Sequence, residues 1–359
     1  MPVNHLNKFI KKISLILKRR KPLLALKLAE INFNILLFNR VPPFRQVEIQ
    51  VTFDCNLRCT HCSAANFSPP EDLLTLSDYK NIAEQCKRYK VPMVSFTGGE
   101  PLFSTRLEEI LSFFDTKSTL MSCTTNGTLL TEERARRLKS LGLDSFVISL
   151  DGPDPESNDA IRGKGTYQKV MNSIRIAKSY NFIVMIIHTL SHHSIKSGNF
   201  NKLIKLAESL DIPIHVSLAS PTGNWSNDKA IKDFMLTKED IDYLWKCQDR
   251  YSFLRRDLDG NYRGTGCPAG TERFVISPTG EVMPCTKIQA SFGNIKKESM
   301  YDIRQKMARL ELFSSSPRMC LPAEHDLFLS TYLPRMFNKK DLPIPYREFF
   351  AENEQTSRK

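Results

Sequence analysis

The feature that most limits what this chain of 359 residues can become is an alternation repeated six times, a short β-branched run followed by a stretch of helical periodicity. Strands are expected at 47–52, 93–97, 120–124, 145–150, 182–189 and 214–218, with helices among them at 77–89, 131–141, 167–180 and 200–210. Such an order demands parallel strands joined by right-handed crossovers, in an α/β sheet that is open or curled toward a barrel. In either form the chemistry gathers at the C-terminal strand ends. The residues that follow each strand are therefore the ones to inspect.

Composition sets the remaining bounds. With 41% hydrophobic and 25% charged residues, 15 Gly and 20 Pro, collagen-like and disordered chains are excluded. Nine cysteines, an odd number with three crowded into eight residues, speak against a disulfide framework and for a reducing, cytoplasmic setting. The net charge of +12 is concentrated: residues 1–40 hold nine basic side chains against one acid, Glu30. Within that stretch Leu6, Phe9, Ile10, Ile13, Ile16 and Leu17 recur at helical spacing, and 23–37 resumes the pattern after Pro22. A basic amphipathic helix suits an anionic membrane surface or a partner protein, or packs on its own domain; nucleic acid is not favoured. No apolar run is long enough to span a bilayer, and Lys18-Arg19-Arg20-Lys21 interrupts anything resembling a signal peptide core. The expected organisation is a basic helical segment 1–42, a barrel unit 43–220, a helical connection 221–264, a second cysteine region 265–325 and a tail 326–359.

The first strand runs directly into Cys55-Asn56-Leu57-Arg58-Cys59-Thr60-His61-Cys62. Three thiolates this close on a loop can converge on one metal centre yet cannot complete a tetrahedral shell alone. An open fourth position suits a 4Fe-4S cluster, whereas zinc in a structural site needs a further ligand, for which His61 is awkwardly placed between two cysteines.

These residues resemble the signature of the radical S-adenosylmethionine (radical SAM) enzymes. The resemblance extends over roughly 47–218 and implies a partial (β/α)6 TIM-type barrel in which Cys55, Cys59 and Cys62 hold a cluster whose free iron chelates SAM. Thr97-Gly98-Gly99-Glu100-Pro101 is similar to the family's GGEP segment, which implies that Gly98, Gly99 and Glu100 receive the SAM ammonium. Asn126, Ser149 and Asp151 match polar positions that contact ribose and carboxylate, Arg162 matches an arginine aimed at the carboxylate, and His61 stands where a ring packs on adenine. The implied chemistry is one-electron cleavage of SAM to methionine and a 5′-deoxyadenosyl radical that takes hydrogen from a substrate. A low-potential donor such as flavodoxin or ferredoxin would supply the electron.

A second group follows: Cys267, then Ser277-Pro278-Thr279-Gly280-Glu281 as a hairpin turn between 274–277 and 282–283, then Cys285. The arrangement resembles the start of the auxiliary cluster domain called SPASM, or its shorter twitch form. A full domain continues with closely spaced cysteines, whereas here only Cys320 follows and Ala323 stands where another would fall. One auxiliary Fe-S cluster on Cys267, Cys285 and Cys320 is expected, its fourth site open or filled by His325, Asp326 or substrate; a degenerate domain with buried thiols is the alternative. Cys86, Cys123 and Cys247 are read as core. His188, His192 and His193 could line the cavity, and Trp225 is a substrate-contact candidate at the barrel mouth.

The SPASM-like region favours a peptide substrate, and the basic N-terminus a lipid or isoprenoid at a membrane surface. Two non-enzymatic alternatives remain open on sequence alone, a zinc-holding regulatory protein and an iron-sulfur electron carrier.

Overall fold

A computed structural model of the chain describes residues 21–38, 44–67, 71–260, 266–337, 339 and 341–350. The amphipathic pattern at 6–17 and the polar string 352–359 lie outside the described residues. All six expected strands form: β1 (Gln46–Gln50), β2 (Met93–Thr97), β3 (Leu120–Thr125), β4 (Ser145–Ser149), β5 (Ile183–Leu190) and β6 (Ile214–Leu218). They lie side by side in sequence order, every pair parallel, as right-handed crossovers require.

The sheet does not stop there. A short β7 (Leu254–Arg256), inside the stretch read as a helical connection, extends it beside β6. At the other edge β8 (Arg273–Ile276) pairs parallel with β1 and antiparallel with β9 (Val282–Met283), giving nine strands in the order β7-β6-β5-β4-β3-β2-β1-β8-β9. The hairpin expected around Pro278-Thr279-Gly280 is therefore built onto the barrel sheet, and the second cysteine region is continuous with the first. The last residues also fold: β10 (Ala290–Ser291) pairs with β11 (Ile344–Pro345), and Phe292, Phe313, Phe349 and Phe350 pack ring against ring.

Alternation along the strands divides core from lumen. Val47, Ile49, Val94, Phe96, Met121, Cys123, Phe146 and Ile148 are fully buried. The intervening residues line the interior, where Glu48, Ser95, Ser122 and Ser145 stand in one register across four strands. Three serines in a row cannot fill a curled sheet, so the lumen stays hollow. Its lower end is covered by the helix Pro22–Phe38, which buries Leu24 and Ile31. Lys21 Nζ reaches Asp144 Oδ2 at 2.5 Å and the Thr119 carbonyl at 2.8 Å, and Lys27 Nζ the Val91 carbonyl at 3.3 Å, all just before strands begin. Among the described residues no helix is long and apolar enough to cross a membrane.

Candidate active site at the upper strand ends

A single cavity of about 1960 Å³ fills the lumen and opens over the upper strand ends. It is roughly twice the volume of an ordinary small-molecule pocket. Cys55, Cys59 and Cys62 border it, and so do Cys267, Cys285 and Cys320. None of the nine cysteines is in a disulfide, and Cys86, Cys123 and Cys247 are buried in the core as expected.

The loop that carries the first three thiols is fastened from several directions. Thr60 N donates to the Ile161 carbonyl at 3.0 Å. Asn224, after β6, donates through its backbone N to the Cys62 carbonyl at 3.1 Å and through Nδ2 to the Cys59 carbonyl at 3.0 Å. The approach is close enough that a Cβ on Gly223, whose φ is +58°, would stand 2.0 Å from the Cys62 oxygen. Three N–H groups face the sulfurs: Leu57 N lies 3.4 Å from Cys55 Sγ, Asn126 Nδ2 3.8 Å from the same atom, and Arg162 Nη1 3.9 Å from Cys59 Sγ. Burial raises the Cys55 thiol and pushes Cys59 up to about 11, although Arg162 pulls Cys59 the other way. Thiols held in this way become thiolates when a cation replaces the proton. Among the described residues no three Cys, His, Asp or Glu side chains gather on the position of one metal ion. Three thiolates are the donor set of a 4Fe-4S cube, which takes one thiolate per corner.

Beside the thiols lies a carboxylate hub. Asp151 Oδ2 accepts from Arg162 Nε at 2.6 Å and faces His61 Nε2 at 3.1 Å; Oδ1 accepts from Thr189 N at 2.8 Å and faces His188 Nδ1 at 3.3 Å. Burial alone would raise this acid, but Arg162 and His61 hold it well below the usual carboxylate range. Asp151, expected to contact SAM, is 2% exposed with both oxygens occupied, and it orients Arg162 and His61, which border the cavity.

Glu100 is held in the same way. It is 0% exposed, Oε1 accepts from Leu102 N at 2.9 Å and Thr125 Oγ1 at 2.5 Å, and Oε2 accepts from Asn126 N at 2.6 Å. With three donors in place the carboxylate ties the Gly-Gly turn to the end of β3. The turn presents Gly98 and Gly99 to the cavity, and their missing side chains are what allow it: a Cβ on either would meet backbone oxygen of 52–54 at 2.2 Å. Asn126 and Ser149 also line the cavity; Asn126 Nδ2 bonds Asn56 Oδ1 at 2.9 Å, so it braces the cysteine loop as well.

The histidines are placed differently from expectation. His188 is buried behind β5 against Phe200, His192 Nδ1 lies 2.8 Å from Asp240 Oδ2, and His193 packs on Phe234; none borders the cavity, whereas His215, not foreseen, does. Alternation along β5 was the available signal for His188. Trp225 is at the mouth, 7% exposed, stacked on Phe234 and 5.6 Å from the His61 ring.

In the second cysteine group, Cys267 N donates to the Pro317 carbonyl at 2.8 Å, which returns Cys267 to the segment before Cys320. Ser220 Oγ donates to the Pro322 carbonyl at 2.7 Å and docks that segment on the end of β6. Burial raises the Cys285 thiol. His325 accepts from Phe328 N at 3.3 Å, and neither it nor Asp326 lines the cavity.

Comparison with known proteins agrees with this arrangement. Residues 49–207 match the radical SAM superfamily, and 267–322 an iron-sulfur cluster-binding domain, SPASM. An AdoMet-dependent heme synthase of Nitratidesulfovibrio vulgaris is 26% identical over 332 residues, 83% of this chain and 89% of that one. The antilisterial bacteriocin subtilosin biosynthesis protein AlbA of Bacillus subtilis is 28% identical, over 74% of this chain and 60% of that one. In fold, Streptococcus suis SuiB bound to its precursor peptide SuiA superposes with a TM-score of 0.60 at 17% identity, covering 87% of this chain and 77% of that one. Native anSMEcpe with bound AdoMet and a Cp18Cys peptide gives 0.60 at 19%, covering 86% and 96%. The chain carries a radical SAM domain at 49–207 and a SPASM domain at 267–322, which make it an enzyme whose cofactors are a 4Fe-4S cluster, SAM and auxiliary iron-sulfur.

Proposed function

We propose that Cys55, Cys59 and Cys62 hold the SAM-binding cluster, that Cys267, Cys285 and Cys320 hold one auxiliary cluster, and that the enzyme modifies a peptide. The observation that carries this reading is that both cysteine groups open on one cavity large enough for a substrate beside SAM. Cys55, Cys59 and Cys62 would hold the first cluster, which with SAM would supply the one-electron chemistry for taking a hydrogen atom from substrate, with methionine as the other product. The remaining work falls to the chain. Arg162, fixed by Asp151, offers a guanidinium to the cofactor carboxylate; the Gly98-Gly99 backbone and Ser149 offer polar groups around it; His61, braced by Trp225, offers a ring edge for adenine.

The peptide class is supported by AlbA and by the fold neighbours solved with peptides. The heme synthase relatives favour a second reading, a large planar substrate, which the same cavity volume accommodates. A membrane-surface lipid has less behind it, because Lys21 and Lys27 point into the lower end of the barrel. We place the protein in the cytoplasm, where its thiols stay reduced, with a flavodoxin or ferredoxin as donor.

The test is anaerobic reconstitution, reduction and addition of SAM. 5′-Deoxyadenosine should form, Cys59→Ala should abolish it, and continued product from that variant would remove the cluster assignment. Candidate peptides and heme precursors, added separately, should raise the yield in one case only. Flotation with anionic liposomes should leave the protein behind.

A further inference from the structure

The two cysteine loops, more than 200 residues apart in sequence, share one side chain. Gln289 is 1% exposed, and its Nε2 donates to the Ser63 carbonyl at 2.7 Å and to the Thr286 carbonyl at 3.4 Å. Ser63 directly follows Cys62, and Thr286 directly follows Cys285. Both facing atoms are carbonyl oxygens, so only the amide nitrogen can be turned toward them, and the orientation of the amide is settled by its surroundings.

The backbone that carries this side chain has little freedom to follow a moving partner. Ile344 N donates to the Gln289 carbonyl at 3.1 Å, and Ala290 pairs with Ile344 in the small sheet. The turn from Cys285 to Ile288 is closed by a bond from Ile288 N to the Cys285 carbonyl at 3.2 Å, and Lys287 Nζ fixes it to the Leu218 carbonyl at 2.6 Å, at the end of β6. The turn is thus clamped on both sides, and Gln289 is its rigid extension to the loop that ends in Cys62. A displacement of the Cys285 turn is passed to Ser63, because the buried amide cannot exchange either carbonyl for water without leaving a polar group unpaired.

We propose that Gln289 is a positioning residue that couples the two cluster sites, so that filling the site at Cys285 sets the geometry of Cys62 and with it the affinity for SAM. This inference rests on the two cluster assignments proposed above. Neither site need touch the other: one strut with a bond at each end is a contiguous physical link, and the claim is one of coupling energy.

The experiment is a double-mutant cycle on the full-length, reconstituted protein, with Gln289→Leu, Cys285→Ala and the pair. Two quantities are read: the electron paramagnetic resonance spectrum of the reduced SAM cluster and the SAM concentration that half-converts it. Gln289→Leu should weaken SAM binding roughly ten-fold, as expected for loss of a buried bond with its partner left unpaired. Cys285→Ala should weaken it by a similar factor in the wild-type background and shift the spectrum, yet add nothing in the Gln289→Leu background. A side chain that only supports the fold would give independent losses that multiply. Gln289→Glu, which keeps length and loses both donors, should reproduce Gln289→Leu and covers the case in which leucine impairs folding. Independent losses, or an unchanged spectrum in Cys285→Ala, would overturn the coupling. Formation of 5′-deoxyadenosine by the wild-type protein reports the underlying reading separately, and multiplying losses with that product still made would sink the coupling alone.

Discussion

Gly223→Ala tests how closely the β6 loop grips the cluster loop. Gly223 has φ +58°, a conformation that costs a residue with a side chain about 1–2 kcal/mol. The added Cβ would also lie 2.0 Å from the Cys62 oxygen and 2.7 Å from Ser63 Cα, both backbone, so the two loops must separate. Separation breaks the bonds from Asn224 to the Cys62 and Cys59 carbonyls, at about 0.5–1.5 kcal/mol each. Gly165→Ala is the control: its φ is +79° and an added Cβ meets nothing within 4 Å, so it carries the conformational term without the collision. The expected result is that Gly223→Ala loses about 1–3 kcal/mol more than Gly165→Ala in urea unfolding of metal-free protein. After reconstitution it should also bind less iron, while the control loads fully. Equal losses and equal iron content would refute the geometry assigned to this contact.

Three further outcomes follow from the site. Asp151→Asn removes the negative charge from beside Arg162, whose side chain is 9% exposed, and should destabilise the protein by about 3–5 kcal/mol; a loss below about 1 kcal/mol would mean that Arg162 finds another partner. Because the folded Asp151 lies below the ordinary carboxylate range, its contribution is present throughout neutral pH and is lost as pH falls below the ordinary carboxylate value and through the lowered one. Metal-free protein should lose stability between pH 9 and 11, because the unfolded chain releases the Cys59 proton near 9 while the folded chain keeps it to about 11; Cys59→Ala should make this part of the urea-midpoint profile shallower, the raised Cys55 and Cys285 thiols supplying the remaining slope. Glu100→Gln places an amide against donors from Leu102, Thr125 and Asn126 and should cost about 1–3 kcal/mol with weaker SAM binding; unchanged stability would contradict its role as a brace.

What the sequence made legible divides along a physical line. Hydrophobic periodicity is local, and it placed β2 and β6 at their observed bounds and the remaining four strands within two residues. The cysteine spacing is local too, and the thiols it singled out do border one cavity. Edge pairing is not local: β7 has three residues and carried no strand signal, whereas β8 was legible as one side of a hairpin but its pairing with β1, across more than 200 positions, was not. Polar side chains at strand ends were the least legible. Glu100 and Asp151 sit where the motif puts them, but a carboxylate's role depends on how many donors reach it, and Thr125, Asn126, Arg162 and Thr189 come from other strands and loops.

The same reasoning explains why the unforeseen residues share a character. Asn224 and Gln289 are amides whose donors end on backbone carbonyls of the cluster loop. A carbonyl has no sequence identity, so nothing in the chain marks it as someone's partner, and an amide in a loop reads as solvated polarity. A loop that must hold three thiols without regular secondary structure leaves its carbonyls unpaired by default, and burying it beside a cavity makes each unpaired one costly. Donors have to be imported from elsewhere in the fold. In this chain they come from the loop after β6, the helix end at Ile161 being served in the reverse sense by Thr60 N, and the turn that holds Cys285. The groups that position the first cluster loop are therefore anchored in the elements that surround the substrate cavity and the second cysteine site, so changes in either have a route to Cys59 and Cys62 that runs through hydrogen bonds to backbone.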